Sequence, residues 1–299
     1  MKTNDMTTNK KAVTVIGLGA MGLKLAELLL KDGYKVIVWN RSAEKAAALV
    51  AAGAILATDA AAAVAASPVT VICVYNHEAT FNILDTAAVR SVLPGRTLLQ
   101  LTTISPAESR LSATWAADNG AAYMNGAIQA APAQMGSADT PILVSGPDAV
   151  YTAVTSLLQV FGGRITYLGD AISAAPTMDL ATLSYIYGSA IGFFHGVRIS
   201  ESEGFGADKY AAIIGGITPS YGEFLKHEGN MIHAGNFNVT QSPMKISVEA
   251  TARLEQTAVE SGINSAFPAF AAALFKKAVA AGYEDEEVAA LIKVLRNPA

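Results

Sequence analysis

Lysine is missing between Lys45 and Lys209, and cysteine occurs once in 299 residues, as Cys73. One thiol inside an apolar run closes no intrachain disulfide, which fits a reducing cytoplasm. Histidine occurs four times and never at a metal-ligating spacing. His227 and His233, for example, fall off a shared helix face, so no metal is expected. Charge is scarce, at 15% of residues, and the net balance is −4. That argues against nucleic acid or an anionic membrane surface as partner. Residues 1–11 are polar with no apolar core, so they read as a disordered tail and not a signal peptide.

Charge is also absent from Leu180 to Val197, between Asp179 and Arg198. The run approaches the roughly 20 apolar residues that cross a bilayer. It also holds Thr182, Ser184, Tyr185, Tyr187, Gly188, His195 and Gly196, with no basic cluster beside it. A long helix buried on most sides is expected, with no membrane as partner.

What is present begins with a short β-prone run, Ala12 to Ile16, leading into Gly17-Leu18-Gly19-Ala20-Met21-Gly22. An amphipathic helix follows to about Lys31, with Gly33 as its C-terminal cap, and then a second strand to Trp39. This is G-x-G-x-x-G between a strand and a helix, the setting of a dinucleotide site. Gly17 permits the tight turn, Gly19 lets the backbone approach the pyrophosphate, and Gly22 lets the helix pack on the strand. Backbone N–H groups at the helix start then face the phosphates.

An NAD enzyme places an acid at the end of the second strand to bond the ribose hydroxyls. Here the sequence reads Trp39-Asn40-Arg41-Ser42, with Lys45 one helical turn on. Two cations and a hydroxyl can hold a 2′-phosphate, so NADPH is the expected cofactor. In an open α/β sheet ligands lie beyond the carboxyl ends of the strands. That places Val74, Tyr75 and Asn76 beside the cofactor, and Thr102 and Thr103 near the nicotinamide. Ordinary turn chemistry explains the two threonines equally well. His77 reads as a surface residue at a helix start.

Helices are expected over Ala43–Ala52, after the Asp59 cap, after a Ser105-Pro106-Ala107-Glu108 capping box, and over Asp148–Phe161. Strands are expected at Ala54–Leu56, Val69–Val74, Thr97–Leu101, twice within Tyr123–Ser145, and at Arg164–Leu168. After Gly169 and Asp170 only helix patterns follow. Pro219 and Pro268 are expected to start helices, as is Ser242-Pro243 with serine as the cap. Glu284 to Glu287 are expected in the first turn of the last helix.

Two residues of the central helix can do chemistry. Asp179 is a lone carboxylate in apolar surroundings, and Tyr187 lies about 12 Å further along the axis. A nicotinamide domain implies hydride transfer to a carbonyl or an imine. A carbonyl becomes an alkoxide and wants a cation, often lysine. An imine reacts best once protonated, and the iminium wants an anion or a proton source. A buried Asp has its pKa raised by desolvation, so it can donate a proton and remain as counter-ion. Tyr187 can donate a hydrogen bond to substrate. Asp179 is alternatively a structural salt-bridge carboxylate, and Tyr187 alternatively a core residue. His195 falls on roughly the opposite face from Asp179 and reads as structural.

Several segments together resemble the imine reductases, relatives of the β-hydroxyacid dehydrogenases. They are Val15 to Gly22, Trp39 to Ser42, Leu101 to Pro106, Tyr123 to Ile128, Met178 to Ala181, and Ser261 to Asn264. The glycine segment belongs to the whole superfamily. The Asp179 segment separates imine reductases from the dehydrogenases, which carry lysine there. The resemblance implies NADPH-dependent reduction of cyclic imines to amines and, in some members, reductive amination. It implies Asp179 as catalytic acid and Tyr187 as a substrate-facing tyrosine. It also implies a homodimer whose active sites are built from both chains. Thr103 and Asn125 depart from the family, where many members carry asparagine and an acid. The fold class expected is an α/β Rossmann domain over residues 12–170, then a long interdomain helix and an all-α domain over residues 171–299. A carbonyl reductase of the hydroxyacid dehydrogenase type and a non-catalytic NADPH-binding protein are the competing readings.

Overall fold

The computed structural model describes residues 11–297; the tail expected over residues 1–11 lies almost wholly outside them. The chain divides into two units, one up to Ser184 and one from Tyr185.

The first unit opens with β1 (Ala12–Ile16), α1 (Ala20–Lys31) and β2 (Lys35–Trp39). Gly33 takes a left-handed φ of 85°, so the stop after α1 is the glycine turn expected. A 3-10 turn over Ala43–Ala46 then leads into α2 (Ala47–Ala51), where one helix was expected, followed by β3 (Ile55–Leu56). Next come α3 (Ala60–Ala65), β4 (Val69–Ile72), α4 (His77–Leu84), α5 (Ala87–Val92), β5 (Thr97–Gln100) and α6 (Pro106–Asp118). Asp59 caps α3 through a bond from the Ala62 N–H. Ser105 and Glu108 form the reciprocal capping box at α6. The unit ends with β6 (Ala122–Ile128), β7 (Pro141–Ser145), α7 (Asp148–Phe161), β8 (Arg164–Tyr167) and the start of α8 (Ala174–Ser202).

The strands form one sheet in the order β3-β2-β1-β4-β5-β6-β7-β8. Neighbours are parallel except β6 and β7, which pair antiparallel. Strand order reverses between β1 and β4, which opens a crevice beyond their carboxyl ends. Alternation along the strands feeds two cores. Val13 and Val15 face one side, packed with Leu25, Leu29, Leu158 and Phe161. Ile16 and Ile72 face the other, packed with Val64, Leu84, Leu93 and Ala116.

The second unit holds the rest of α8, then α9 (Ala207–Ala234), α10 (Met244–Glu260), α11 (Ala266–Ala280) and α12 (Leu291–Leu295). Pro219 does not start a helix; it lies inside α9. A missing N–H and a ring clash can be accommodated in a long helix as a local kink. Pro268 does lie in the first turn of α11. The expected burial of α8 is not met within one chain. Its buried residues are Ala175, Pro176 and Asp179, while Ile191 is 53% and Phe194 65% exposed. No described helix is long and apolar enough to cross a membrane.

Glu287 corrects two expectations at once. It precedes a short 3-10 turn instead of lying in the first turn of α12, and its side chain is fully buried. Its carboxylate accepts bonds from the backbone N–H groups of Thr240, Gln241 and Ser242 and from the Thr240 hydroxyl. Ser242 is no cap: Pro243 stands at the helix boundary with no side-chain cap bond, and the Ser242 N–H serves Glu287. Burial pushes the Glu287 carboxyl up, but the three N–H bonds together outweigh it and hold the group below its ordinary value. Glu287→Ala would strand three N–H groups at about 1–3 kcal/mol each, so a loss of at least about 3 kcal/mol is expected in urea unfolding. With the folded value depressed, the wild-type contribution is present above the usual carboxylate range. It is lost as pH falls through the folded value, and the variant is expected to lack that acid dependence.

Candidate functional site

A cleft of about 950 Å³ opens at the strand-order reversal. Its floor is the glycine segment, and each glycine there has its own reason. Gly17 has φ 97°, and a Cβ on it would overlap the Cys73 carbonyl oxygen. A Cβ on Gly22 would overlap the Gly17 carbonyl oxygen. Gly19 differs, because a Cβ there would meet nothing within 4 Å. Nothing in the protein itself forbids a side chain at Gly19. A phosphate group approaching the start of α1 would, and this empty approach fits a pyrophosphate.

Gly17, Leu18, Gly19, Ala20, Met21, Gly22, Asn40, Arg41, Ser42, Lys45, Val74, Tyr75 and Asn76 all line the cleft. Asn40 braces the loop: its Oδ1 accepts from the Leu18 N–H at 3.0 Å and its Nδ2 donates to the Ser42 carbonyl at 3.0 Å. Ser42 precedes the 3-10 turn without a side-chain cap bond, so its hydroxyl is uncommitted. Arg41 and Lys45 are exposed and make no ion pair with a described residue. Two unneutralised cations and a hydroxyl, with no acid at the end of β2, suit a 2′-phosphate. Asn76 caps α4, accepting from the Ala79 N–H at 2.9 Å. Cys73 also lines the cleft; burial pushes its thiol up to about 11, so it stays protonated.

The far wall carries residues that the sequence did not single out, among them Ala60 and Ala61 of α3 and Asn82 and Ile83 of α4. A small-residue helix start and one face of α4 were the available signals.

Thr102 and Thr103 are not part of the wall. Thr102 is buried and its Oγ1 accepts from the Val74 N–H at 3.0 Å, so it holds the loop after β4 in place. Thr103 is exposed. His77 packs its ring on Phe81, with Nδ1 3.9 Å from a Glu108 oxygen, which makes it less of a surface residue than expected.

Asp179 lies in the same unit, on α8, outside the cleft wall. It is only 5% exposed. Its described partner is neutral: Gln129 Nε2 donates to Oδ1 at 2.5 Å. Burial raises its pKa, and the Gln129 bond offsets part of the rise. No ion pair reaches it among the described residues, so the alternative of a salt-bridge carboxylate is not what the geometry gives. Gln129, just past β6, escaped the sequence reading. A polar residue at the carboxyl end of an apolar strand was its signal. Tyr187 belongs to the second unit and is 65% exposed. Among the described residues no group of His, Cys, Asp and Glu could hold a metal.

Residues 12–169 match the family pattern of the NAD binding domain of 6-phosphogluconate dehydrogenase. Residues 171–297 match that of the NADPH-dependent reductive aminase-like C-terminal domain. An NADPH-dependent reductive aminase of Aspergillus oryzae is 30% identical over 290 residues, covering 96% of this chain and 97% of the relative. An imine reductase from Myxococcus stipitatus, solved with NADP+, superposes with a TM-score of 0.91 at 30% identity, covering 95% of this chain and 99% of the other. A reductive aminase from Aspergillus terreus, solved with NADPH4, cyclohexanone and allyl amine, gives 0.88 at 32% identity, covering 96% and 99%. With both halves matched and the relatives spanned end to end, the chain belongs to the family of NADPH-dependent reductive aminases and imine reductases, NADP-dependent oxidoreductases that act on C=N bonds.

Proposed function

We propose that this protein reduces imines, cyclic ones included, to amines, with Asp179 as the acid that protonates the imine nitrogen and then faces the iminium as counter-ion. The observation that carries this is a buried carboxyl paired with an amide and with no cation. NADPH supplies the hydride. Its phosphates fall to the Gly17–Gly22 loop and the start of α1, and its 2′-phosphate to Arg41, Ser42 and Lys45. Desolvation raises the Asp179 pKa, so the proton is available nearer neutral pH than on a free carboxyl. Once the proton has moved to nitrogen, the carboxylate opposes a positive charge in a low-dielectric setting, where the attraction is strong. A carbonyl would leave a neutral alcohol there after the same proton transfer, with no cation for the carboxylate to balance. Tyr187 is assigned as a hydrogen-bond donor to substrate. Residues 12–170 hold the dinucleotide, and residues 171–299 serve substrate and assembly.

A homodimer with active sites made by both chains belongs to the same reading. Exposed Ile191 and Phe194 of α8, with Ile213 and Ile217 of α9, support it. Apolar surface of that extent on two neighbouring helices in sequence is costly in water. A monomeric mass in sedimentation would remove this part.

NADPH oxidation is expected with 1-pyrroline-type imines and not with glyoxylate or succinic semialdehyde. Oxidation with the aldehydes alone would make the protein a carbonyl reductase. Asp179→Ala should lower kcat about a hundredfold or more while leaving NADPH affinity near wild type. Unchanged turnover would take Asp179 out of the chemistry. Arg41→Ala should weaken NADPH by roughly ten- to a hundredfold, the scale of a charged hydrogen bond, with far less effect on NADH. An equal loss for both nucleotides would mean a structural role for Arg41.

A further inference from the structure

We propose that Gln129 is a positioning residue for Asp179: it commits Oδ1 as an acceptor and leaves Oδ2 as the oxygen that carries the proton to and from the substrate nitrogen. The inference rests on the assignment of Asp179 as the acid and goes one atom further.

The geometry is local to the first unit. Gln129 follows β6 directly, and its own backbone N–H is fixed by a 3.1 Å bond to the Pro141 carbonyl. The strand end is therefore anchored before the side chain reaches out. On the other side, α8 is pinned near its start, where the Ala175 N–H donates to Ser145 Oγ at 2.9 Å. Asp179 lies one turn further along that helix. Between two anchored backbones, the 2.5 Å Nε2–Oδ1 bond fixes the carboxyl plane.

A carboxamide N–H can only donate. It bonds to Oδ1 in both protonation states, as a carboxylate oxygen or as the carbonyl oxygen of the acid. The proton therefore belongs on Oδ2. Donation favours the charged form, so Gln129 works against the rise that burial causes. No lysine, arginine, histidine or second carboxylate of the described chain contributes to the Asp179 environment; burial and Gln129 are the two influences. An amide in place of a cation tunes the acid without locking it as an anion, as a guanidinium would.

In the reaction, Oδ2–H breaks as the imine nitrogen gains the proton, and the electron pair stays on Oδ2. NADPH, when bound in the cleft, would supply the hydride to carbon. Gln129 neither gains nor loses a proton. It fixes which oxygen faces the nitrogen.

The test compares Gln129→Met and Gln129→Glu with the wild type and with Asp179→Asn in the full-length protein. NADPH Kd and melting temperature are measured alongside the pH profile of kcat with a 1-pyrroline-type imine. Asp179→Asn, followed at its residual turnover, should lack the limb that belongs to Asp179. Gln129→Met keeps length but removes the donor, and the limb should move to higher pH by about one unit. Gln129→Glu faces carboxyl with carboxyl and should move it further. NADPH Kd should stay within about twofold in both, a margin far below the tenfold step that about 1.4 kcal/mol produces. A merely structural Gln129 would lower the melting temperature and leave the limb in place, and that outcome overturns the proposal. Should Gln129→Met not fold, the near-isosteric Gln129→Glu decides in the same way. If Asp179→Asn retains wild-type turnover and profile, the assignment of Asp179 has failed instead. If Asp179→Asn loses most turnover and the limb, but neither Gln129 variant moves the limb, only the role of Gln129 has failed.

Discussion

Three backbones meet at the end of β1 with no room for a side chain. The Gly17 carbonyl presses on Gly22, and the Cys73 carbonyl presses on Gly17. This contact locks the turn after β1, the first turn of α1 and the strand end of β4 into one block. The order reversal of the sheet lies at the same place, so the block becomes the floor of the cleft. The loops around it are tied by single bonds: Asn40 to the Leu18 N–H, Thr102 to the Val74 N–H. Both bonds use a side chain to fix a backbone. Gly19 is the residue of the three at which a Cβ would meet nothing within 4 Å, so the fold itself does not require its glycine.

The second constraint is electrostatic. A carboxyl 5% exposed is expensive to ionise, and proteins usually offset that with a cation. Here a neutral amide stands in its place. One neutral donor engages the carboxyl, and burial raises its pKa. That combination suits a group that must hand over a proton and then tolerate the positive charge it has made.

Much of the first unit was legible because its signals are local. Ser105 and Glu108 sit three residues apart and form the box they spell. Gly33 ends α1, Asp59 opens α3, and G-x-G-x-x-G opens α1. The second unit was less legible because its determinants are distant. Ser242-Pro243 has the local form of a cap, yet a glutamate far along the chain takes the Ser242 N–H. Pro219 has the local form of a helix start, yet α9 continues through it. Among the site residues, Arg41 and the glycines carry their chemistry in their spacing. Gln129 carries none in its neighbours, and its meaning appears only when β6 and α8 are brought together in space. The exposed flank of α8 was legible only as an apolar, charge-free run, a composition that does not say which side of the helix the fold leaves open.

The Glu287 nest sets a condition on how the helical unit is made. Its bonds join residues 45 to 47 positions apart, and the neighbouring bond from the Ala289 N–H to Glu228 spans 61. Contacts of such separation form slowly, after local helices. On the ribosome, α9 and the loop after it would emerge well before their anchor exists. During that interval the Thr240–Ser242 amides and the apolar faces of the early helices are open to wrong partners. Closure of the helical unit then requires that those amides stay unpaired until Glu287 has been made.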